Sequence, residues 1–235
     1  NAICSQLITQ DDLNVSDNLF DKVQKDLIVT KIIQNKVSTS IKVFSKERLY
    51  LSTIAPLLHD FGFDIVDEVT YNIKKGKANI FISKFNLDLK DSGKICLAKD
   101  NIENVISNTL LYDTLRSSKL FSLVYLENLS IRSMLLLKAF IEYIDQTEIS
   151  LNYESILTTL TYYSHISKLF VEYFNVKFNP EITKKEKIIK ILELQLEESI
   201  KLVPSIMDDR ILKLTYAFLQ AIVRTNFFLR KESLL

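Results

Sequence analysis

The stretch LSTIAPLLHDFGFDIVDEVTYNI, residues 51–73, decides the fold because it reads as a helix, its end and a strand in succession. Ser52 or Thr53 can cap a helix whose first turn accommodates Pro56, where a missing N–H costs least. Gly62 is the expected left-handed C-cap. Residues 63–73 are rich in β-branched and aromatic side chains, which predicts a strand.

Further elements are predicted on both sides of this stretch. Residues 40–50 read as a strand, and residues 78–89 as a strand with one well-buried face, because Phe81, Phe85 and Leu87 share one parity. Helical spacing of apolar residues predicts helices over 17–36 and about 101–116. The order predicts an α+β domain, a ferredoxin-like βαββ(αβ) unit, although no convincing strand follows the second helix.

The rest of the chain is predicted to be an all-α helical bundle. All three glycines lie before residue 94, and this composition shift is the best boundary signal. The last predicted helix is apolar nearly all round, which favours a central position in the bundle. We therefore expect an N-terminal helical lead-in at 1–40, an α+β domain at 41–98 and a helical domain at 99–235. Its main helices are predicted at about 130–146, 152–175, 183–203 and 208–229.

Composition excludes several classes of protein. The three glycines are too far apart for GxGxxG or GxxxxGK[ST] loops, which argues against a Rossmann enzyme, a P-loop NTPase or a kinase. The chain has 30 basic and 29 acidic side chains, so it lacks the basic excess of a nucleic-acid binder. The longest uncharged run, residues 155–167, is too short to span a membrane. With two cysteines and no signal peptide, we expect a cytoplasmic protein, and the missing initiator Met fits a piece of a longer chain.

Few residues are candidates for chemistry. No nucleophile–base arrangement or metal cluster is present in the pattern, so no catalytic, cofactor-binding or metal-binding residue is predicted. Arg132, Arg210 and Arg224 lie in apolar helical sequence, where arginine often holds a carboxylate. An interhelical salt bridge, to Asp209 or Glu142 for example, is favoured over a ligand site.

Five segments resemble, in order and near spacing, the large bacterial type of NAD-specific glutamate dehydrogenase ahead of its catalytic domain. Lys177 departs from the family, which has arginine there, and Ile131 stands where the family has tryptophan. The segments are LSTIAPLLHDFGFDIVDEVTYNI (51–73), NIFISKFNLDL (79–89), LENLSIRSMLLLKAFIEYIDQ (126–146), KLFVEYFNVKFNP (168–180) and MDDRILKLTYAFLQAIVRTNFF (207–228).

The resemblance implies an ACT-like regulatory module up to about residue 95, followed by a helical domain. It also implies that this chain is part of a larger parent enzyme, which would convert L-glutamate, NAD and water to 2-oxoglutarate, ammonia and NADH. NAD would bind the parent's catalytic domain, with no cofactor in this chain. The alternative is a free-standing ACT-like amino-acid-binding or protein-interaction module with no enzyme attached.

Under this resemblance the expected partners are the rest of the parent polypeptide, other subunits of a homo-oligomer and an amino-acid effector, with no nucleic acid and no membrane. Open edge strands of ACT-like sheets present unpaired backbone groups, so a sheet-edge or helical contact is expected. The loop Phe61–Gly62–Phe63 is the first candidate for a ligand, because glycine permits close backbone approach. Asn226, in the RTN motif with Arg224, is a further candidate.

Overall fold

The computed structural model of the chain describes residues 17–25, 27–34, 38–75, 78–88, 92–112, 118–147 and 151–228. These residues form two compact units. The first holds the described residues up to His59, then Phe63–Ser92 and those from Glu103 to residue 112. The second holds Asp60–Gly62, Gly93–Ile102 and the described residues from 118 onward. The predicted class, an α+β domain followed by a helical domain, is confirmed.

The first unit contains a four-stranded antiparallel sheet. Strands β1 (Val29–Gln34), β2 (Thr39–Ser45), β3 (Asp64–Lys75) and β4 (Ala78–Asp88) lie in the order β1-β2-β4-β3. Helix α2 (Leu51–Asp60) connects β2 to β3, and β4 lies between those two parallel strands, which is the split βαβ arrangement. In a ferredoxin-like sheet the position beside β2 belongs to the final strand. Here β1, which precedes β2 in the chain, occupies it.

The helix predicted over 17–36 is wrong in its second half. Helix α1 covers only Asp17–Gln24, and β1 begins at Val29. The β-branched residues Val29, Thr30 and Ile32 suit a strand, and β2 offers them an antiparallel partner from Val29↔Phe44 to Gln34↔Thr39. Sheet pairing therefore overrides a local helical spacing.

Side chains are buried on both faces of the sheet, whereas the sequence predicted one buried face for β4. Ile41 of β2 and Phe85 of β4 are paired on one face. On the opposite face Phe44 pairs with Ile82, and both pack with Val23 of α1 in a common cluster. Because α1 covers that face, the alternation of β4 does not distinguish inside from outside.

The outer edge of β1 is covered by side chains of helix α3 (Ser92–Tyr112). The backbone N–H of Ile32 donates to Glu103 Oε1 at 2.8 Å, and the N–H of Thr30 donates to Ser107 Oγ at 3.0 Å. Glu103 and Ser107 are one helical turn apart, so they reach alternate N–H groups of the strand. This edge of the sheet is therefore closed to a further strand at these two positions.

Gly62 ends α2 as the sequence predicts. Its φ is +83°, and the N–H of Phe63 donates to the carbonyl of Leu58 at 3.1 Å, which is the bond of a Schellman motif. A β-carbon built on Gly62 would meet no atom within 4 Å. The glycine is thus needed for its left-handed backbone and not for close packing.

The second unit is helical. The helix predicted over 152–175 is two helices, α6 (Tyr153–Tyr162) and α7 (Ser164–Phe178), which meet at Tyr163. The last helix, α9 (Ile206–Ala221), ends at Ala221 instead of continuing to 229, and Ser205 caps it by accepting from the Asp208 N–H. It buries one face, so its predicted central position is wrong. The helices are α4 (Phe121–Glu127), α5 (Ile131–Asp145), α6 (Tyr153–Tyr162), α7 (Ser164–Phe178), α8 (Lys185–Lys201) and α9 (Ile206–Ala221).

Candidate functional site

A cavity of about 470 Å³ lies in the helical unit, between α5, α7, the end of α9 and the segment after α9. Its walls are mainly aromatic and aliphatic. Phe140 of α5 packs its ring 5.7 Å from that of Phe174 and 5.6 Å from that of Phe218, between centroids. Tyr143 stacks on Phe218 at 4.3 Å and is 53% exposed, so it stands at the solvent side of the wall.

The segment Ile222–Phe228, which follows α9 and is called the exit segment here, forms one side of the cavity. Its backbone leaves helical geometry at Ile222, with φ −60° and ψ 120°. The ring of Phe227 then packs 5.3 Å from that of Phe174, edge to face. Phe227 thus brings the chain back onto α7 and forms one wall of the cavity.

Arg132 holds the exit segment in place. Its guanidinium Nη2 donates to the carbonyl of Phe227, and its Cζ lies 4.2 Å from the centroid of the Phe227 ring. The two carboxylates considered as its partners pair elsewhere, Asp209 with Lys213 and Glu142 with Lys138. Arg132 therefore binds a backbone carbonyl and an aromatic face in place of the favoured interhelical carboxylate.

Lys177 caps the end of α9. Its Nζ donates to the carbonyls of Leu219 at 3.0 Å and Gln220 at 2.8 Å, where a helix presents unpaired carbonyls and a partial negative charge. Burial lowers the pKa of this ammonium, and the nearby Glu193 acts in the opposite direction. Sequence reasoning noted Lys177 only as a departure from the arginine of the family. A cation in the last turn of α7 was the available signal.

The structure brings two other candidates to the mouth of the cavity. Arg224 and Asn226 both line it and are exposed, so a guanidinium and an amide flank an apolar interior. Arg210 is exposed in the first turns of α9, eight residues before Phe218 and about 12 Å away along the helix axis. It is thus separated from the arginine at the cavity mouth.

The Phe61–Gly62–Phe63 loop presents neither aromatic ring to solvent. Phe61 is 0% exposed and stacks on Phe121 at 5.3 Å, and Phe63 is 1% exposed. Gly62 is exposed between them. The two rings serve as core residues, and only the backbone at Gly62 remains accessible.

The cavity can bind an apolar group and pair a carboxylate at its mouth. Its volume lies within the range of about 300–1,000 Å³ typical of small-molecule sites. Within the described ranges, no group of three or more His, Cys, Asp or Glu side chains could hold a metal ion. None of the described helices has the length and apolar character needed to cross a bilayer.

The fold defines an ACT-type α+β domain followed by a helical domain, and comparisons with known proteins specify it further. The family model of the glutamate dehydrogenase ACT3 domain matches residues 29–100, and that of glutamate dehydrogenase helical motif 3 matches residues 117–180. The chain therefore contains the ACT3 domain and helical motif 3 of the glutamate dehydrogenase family.

A curated relative agrees with this identification. The NAD-specific glutamate dehydrogenase of Halomonas elongata is 24% identical over 209 residues. The aligned region is 88% of this chain and 13% of the relative. The resemblance to NAD-specific glutamate dehydrogenase inferred from the five segments is confirmed.

Proposed function

We propose that this chain is a regulatory and scaffolding portion of a large cytoplasmic NAD-dependent glutamate dehydrogenase. The parent would convert L-glutamate, NAD and water to 2-oxoglutarate, ammonia and NADH. The observation that carries the proposal is the succession of the ACT3 domain at 29–100 and helical motif 3 at 117–180. The chain itself is assigned no catalytic residue and no NAD site, since its three glycines are too dispersed for a dinucleotide loop.

The scaffolding role includes a sheet-edge contact, for which β3 is the better candidate. Side chains of α3 cover alternate N–H groups of β1, whereas β3 is the other edge of the sheet and extends over 12 residues. A bulge lies between Ile65 and Asp67, and the intervening Val66 is 66% exposed. An added strand would therefore pair with the regular part of β3 beyond the bulge.

The regulatory role requires an effector, and the cavity fits an amino acid with an apolar or aromatic side chain. The aromatic walls would take the side chain, and Arg224 and Asn226 at the mouth would take the α-carboxylate. This assignment replaces the Phe61–Gly62–Phe63 loop as the first site to test, because both of that loop's rings are buried.

The parent enzyme is tested with an antibody raised against this chain. The captured material is sized and assayed for glutamate-dependent NADH formation, with excess free chain as the blocking control. The expected result is a very large polypeptide with glutamate-dependent activity, whose capture is prevented by the excess free chain. A band near 27.2 kDa without activity would contradict the proposal and leave a free-standing module.

The effector site is tested by isothermal titration of the chain with leucine, phenylalanine and glutamate at millimolar concentrations. Ala139→Trp should abolish the binding heat by filling the cavity, and Arg224→Ala should weaken binding by about tenfold or more. Ala217→Trp is the matched control, since Ala217 is exposed on α9 outside the cavity lining. No heat with any of these amino acids would contradict this effector assignment.

A further inference from the structure

Helix α8 (Lys185–Lys201) has apolar side chains on two opposite faces. One face buries Leu192, Leu196 and Ile200, and the helix packs on α7 and α9. The opposite face exposes Ile191 by 52% and Leu194 by 62%. A helix packed on one side is expected to carry polar residues on the other, so these two exposed side chains need an explanation.

The exposed apolar pair lies at the centre of a regular stripe. Lys187, Ile191, Leu194 and Glu198 follow one another at intervals of four, three and four residues, and all four are exposed. This is the spacing of a coiled-coil seam. The stripe has a positive residue at its N-terminal end, an apolar centre and a negative residue at its C-terminal end.

The stripe is complementary to itself when a second copy runs antiparallel. When Ile191 faces the partner's Leu194, Lys187 faces the partner's Glu198. In an antiparallel pair all facing residues share one midpoint, and for both of these pairs it lies between residues 192 and 193. A twofold axis makes each contact occur twice. A parallel arrangement would instead place Lys187 beside the partner's Lys187.

Charges beside the stripe support the same arrangement. In the same antiparallel register Lys190 would lie near the partner's Glu197, and Glu186 would lie near the partner's Lys201, on one flank of the stripe. All four side chains are exposed, and in the part of the chain that the structure describes none of them, nor Lys187 or Glu198, forms an ion pair. Their charges are thus available to a partner.

We propose that α8 is a homodimerisation helix that pairs antiparallel with α8 of a second copy of this chain. The inference goes beyond the proposed function, because it depends only on the surface of α8 and would hold with no dehydrogenase attached. A single pair of helices buries less than about 1,200 Å², the range of weak, reversible complexes. The dimer is therefore concentration-dependent.

Sedimentation velocity of the full chain, from about 1 µM to about 1 mM, tests the proposal. The chain should pass from monomer to dimer, and Leu194→Glu should raise the dissociation constant at least about tenfold by placing a charge at the centre of the seam. Leu97→Glu is the matched control, since Leu97 is 78% exposed on α3 and should leave the dimer intact. A monomer at every concentration, or a dimer unaffected by Leu194→Glu, would overturn the proposal.

Charge exchange tests the antiparallel register. Lys187→Glu alone and Glu198→Lys alone should each weaken the dimer, because each places like charges opposite one another. The double variant restores opposite charges at both ends and should recover most of the affinity. Circular dichroism verifies that every variant keeps its helix content. If the double variant loses as much dimerisation free energy as the two single variants together, the proposed register is wrong.

Discussion

Glu103 shows how one buried carboxylate can stabilise a sheet edge. It is 7% exposed, accepts the Ile32 N–H and also accepts from Lys31 Nζ at 2.5 Å. A buried backbone donor left without an acceptor costs about 1–3 kcal/mol, more than the about 0.5–1.5 kcal/mol that an average hydrogen bond contributes. Glu103 therefore stabilises β1 mainly by preventing that loss.

We expect Glu103→Ala to lower the free energy of unfolding by about 1–3 kcal/mol, because it leaves the Ile32 N–H without its acceptor. Glu103→Gln keeps an oxygen for that N–H and loses only the charge interaction with the half-exposed Lys31, so its effect should be smaller. Urea unfolding of the three proteins measures both changes. Equal losses in the two variants would show that the ion pair, and not the backbone contact, is what matters.

Tyr216 makes the stability of the helical unit depend on pH in alkaline solution. Burial raises the pKa of its hydroxyl to about 12, and the nearby Glu193, Tyr173 and Glu197 act in the same direction. Because this pKa is higher in the folded state than the usual value of about 10, the folded state holds the proton more tightly. The contribution of this proton to the free energy of unfolding is fully present below about pH 10 and is lost as the pH rises from about 10 towards 12.

Tyr216→Phe should therefore reduce the fall in melting temperature between about pH 9 and pH 11.5, because the variant has no proton to lose at this position. Tyr112→Phe is the control, since Tyr112 is 47% exposed. Thermal unfolding followed by circular dichroism is the measurement. A pH dependence identical to that of the unmodified chain would contradict the assignment.

At the scale of elements, the chain changes direction at two helix ends. Helix α2 is terminated by Gly62, and helix α9 ends at Ala221. Gly62 follows from the sequence, because a glycine just past a helical pattern is a strong local signal. The end of α9 does not. Its continuation Ile222–Phe228 is apolar enough to read as helix, and only contacts with α5 and α7 favour the exit segment.

Gly62→Ala should lower the free energy of unfolding by about 1 kcal/mol although the site has open space, because a β-carbon disfavours a φ of +83°. Gly62→Asn should cost less, since asparagine adopts this conformation more readily. Gly93→Ala, on helix α3, should be neutral or slightly stabilising and controls for the substitution itself. Chemical denaturation compares the three. An unchanged stability in Gly62→Ala would contradict the conformational argument.

The exit segment should open more easily when Arg132 is replaced. Arg132→Met removes the donor to the Phe227 carbonyl and the cation over its ring, so trypsin should cleave after the exposed Arg224 several times faster. Arg210→Met is the control, because Arg210 is exposed on α9 and separate from this contact. Mass spectrometry of timed digests gives the rates. Equal rates at Arg224 would show that Arg132 does not restrain the segment.

At the scale of the whole molecule, charge balance limits the partners. With 30 basic and 29 acidic side chains, the chain has a net charge of +1 and little long-range attraction for polyanions. Its interactions are expected to depend on local patterns, such as the separated charges of α8, and not on overall charge.

We therefore expect the chain to pass through a double-stranded DNA resin even at about 50 mM salt, where a protein with several phosphate contacts would be retained. A basic DNA-binding domain of similar size is the positive control, and the same chain on uncoated resin is the negative one. Salt-dependent retention would contradict the exclusion of nucleic acid.

Much of this protein follows from its sequence. The helix–glycine–strand stretch at 51–73, the strand at 78–88 and the glycine-free helical second part are local patterns, because capping, backbone freedom and side-chain alternation act between near neighbours in the chain. The five family-like segments likewise identify its relatives. These signals need no knowledge of tertiary contacts.

Only the tertiary structure decided the rest. Residues 29–34 form a strand because β2 lies beside them, and β4 is buried on both faces because Val23 of α1 covers the second. The cavity exists because the ring of Phe227 packs against the ring of Phe174, which lies some 50 residues earlier in the chain. Such contacts join residues far apart in sequence, and their energy exceeds the small local preferences that a sequence pattern reports.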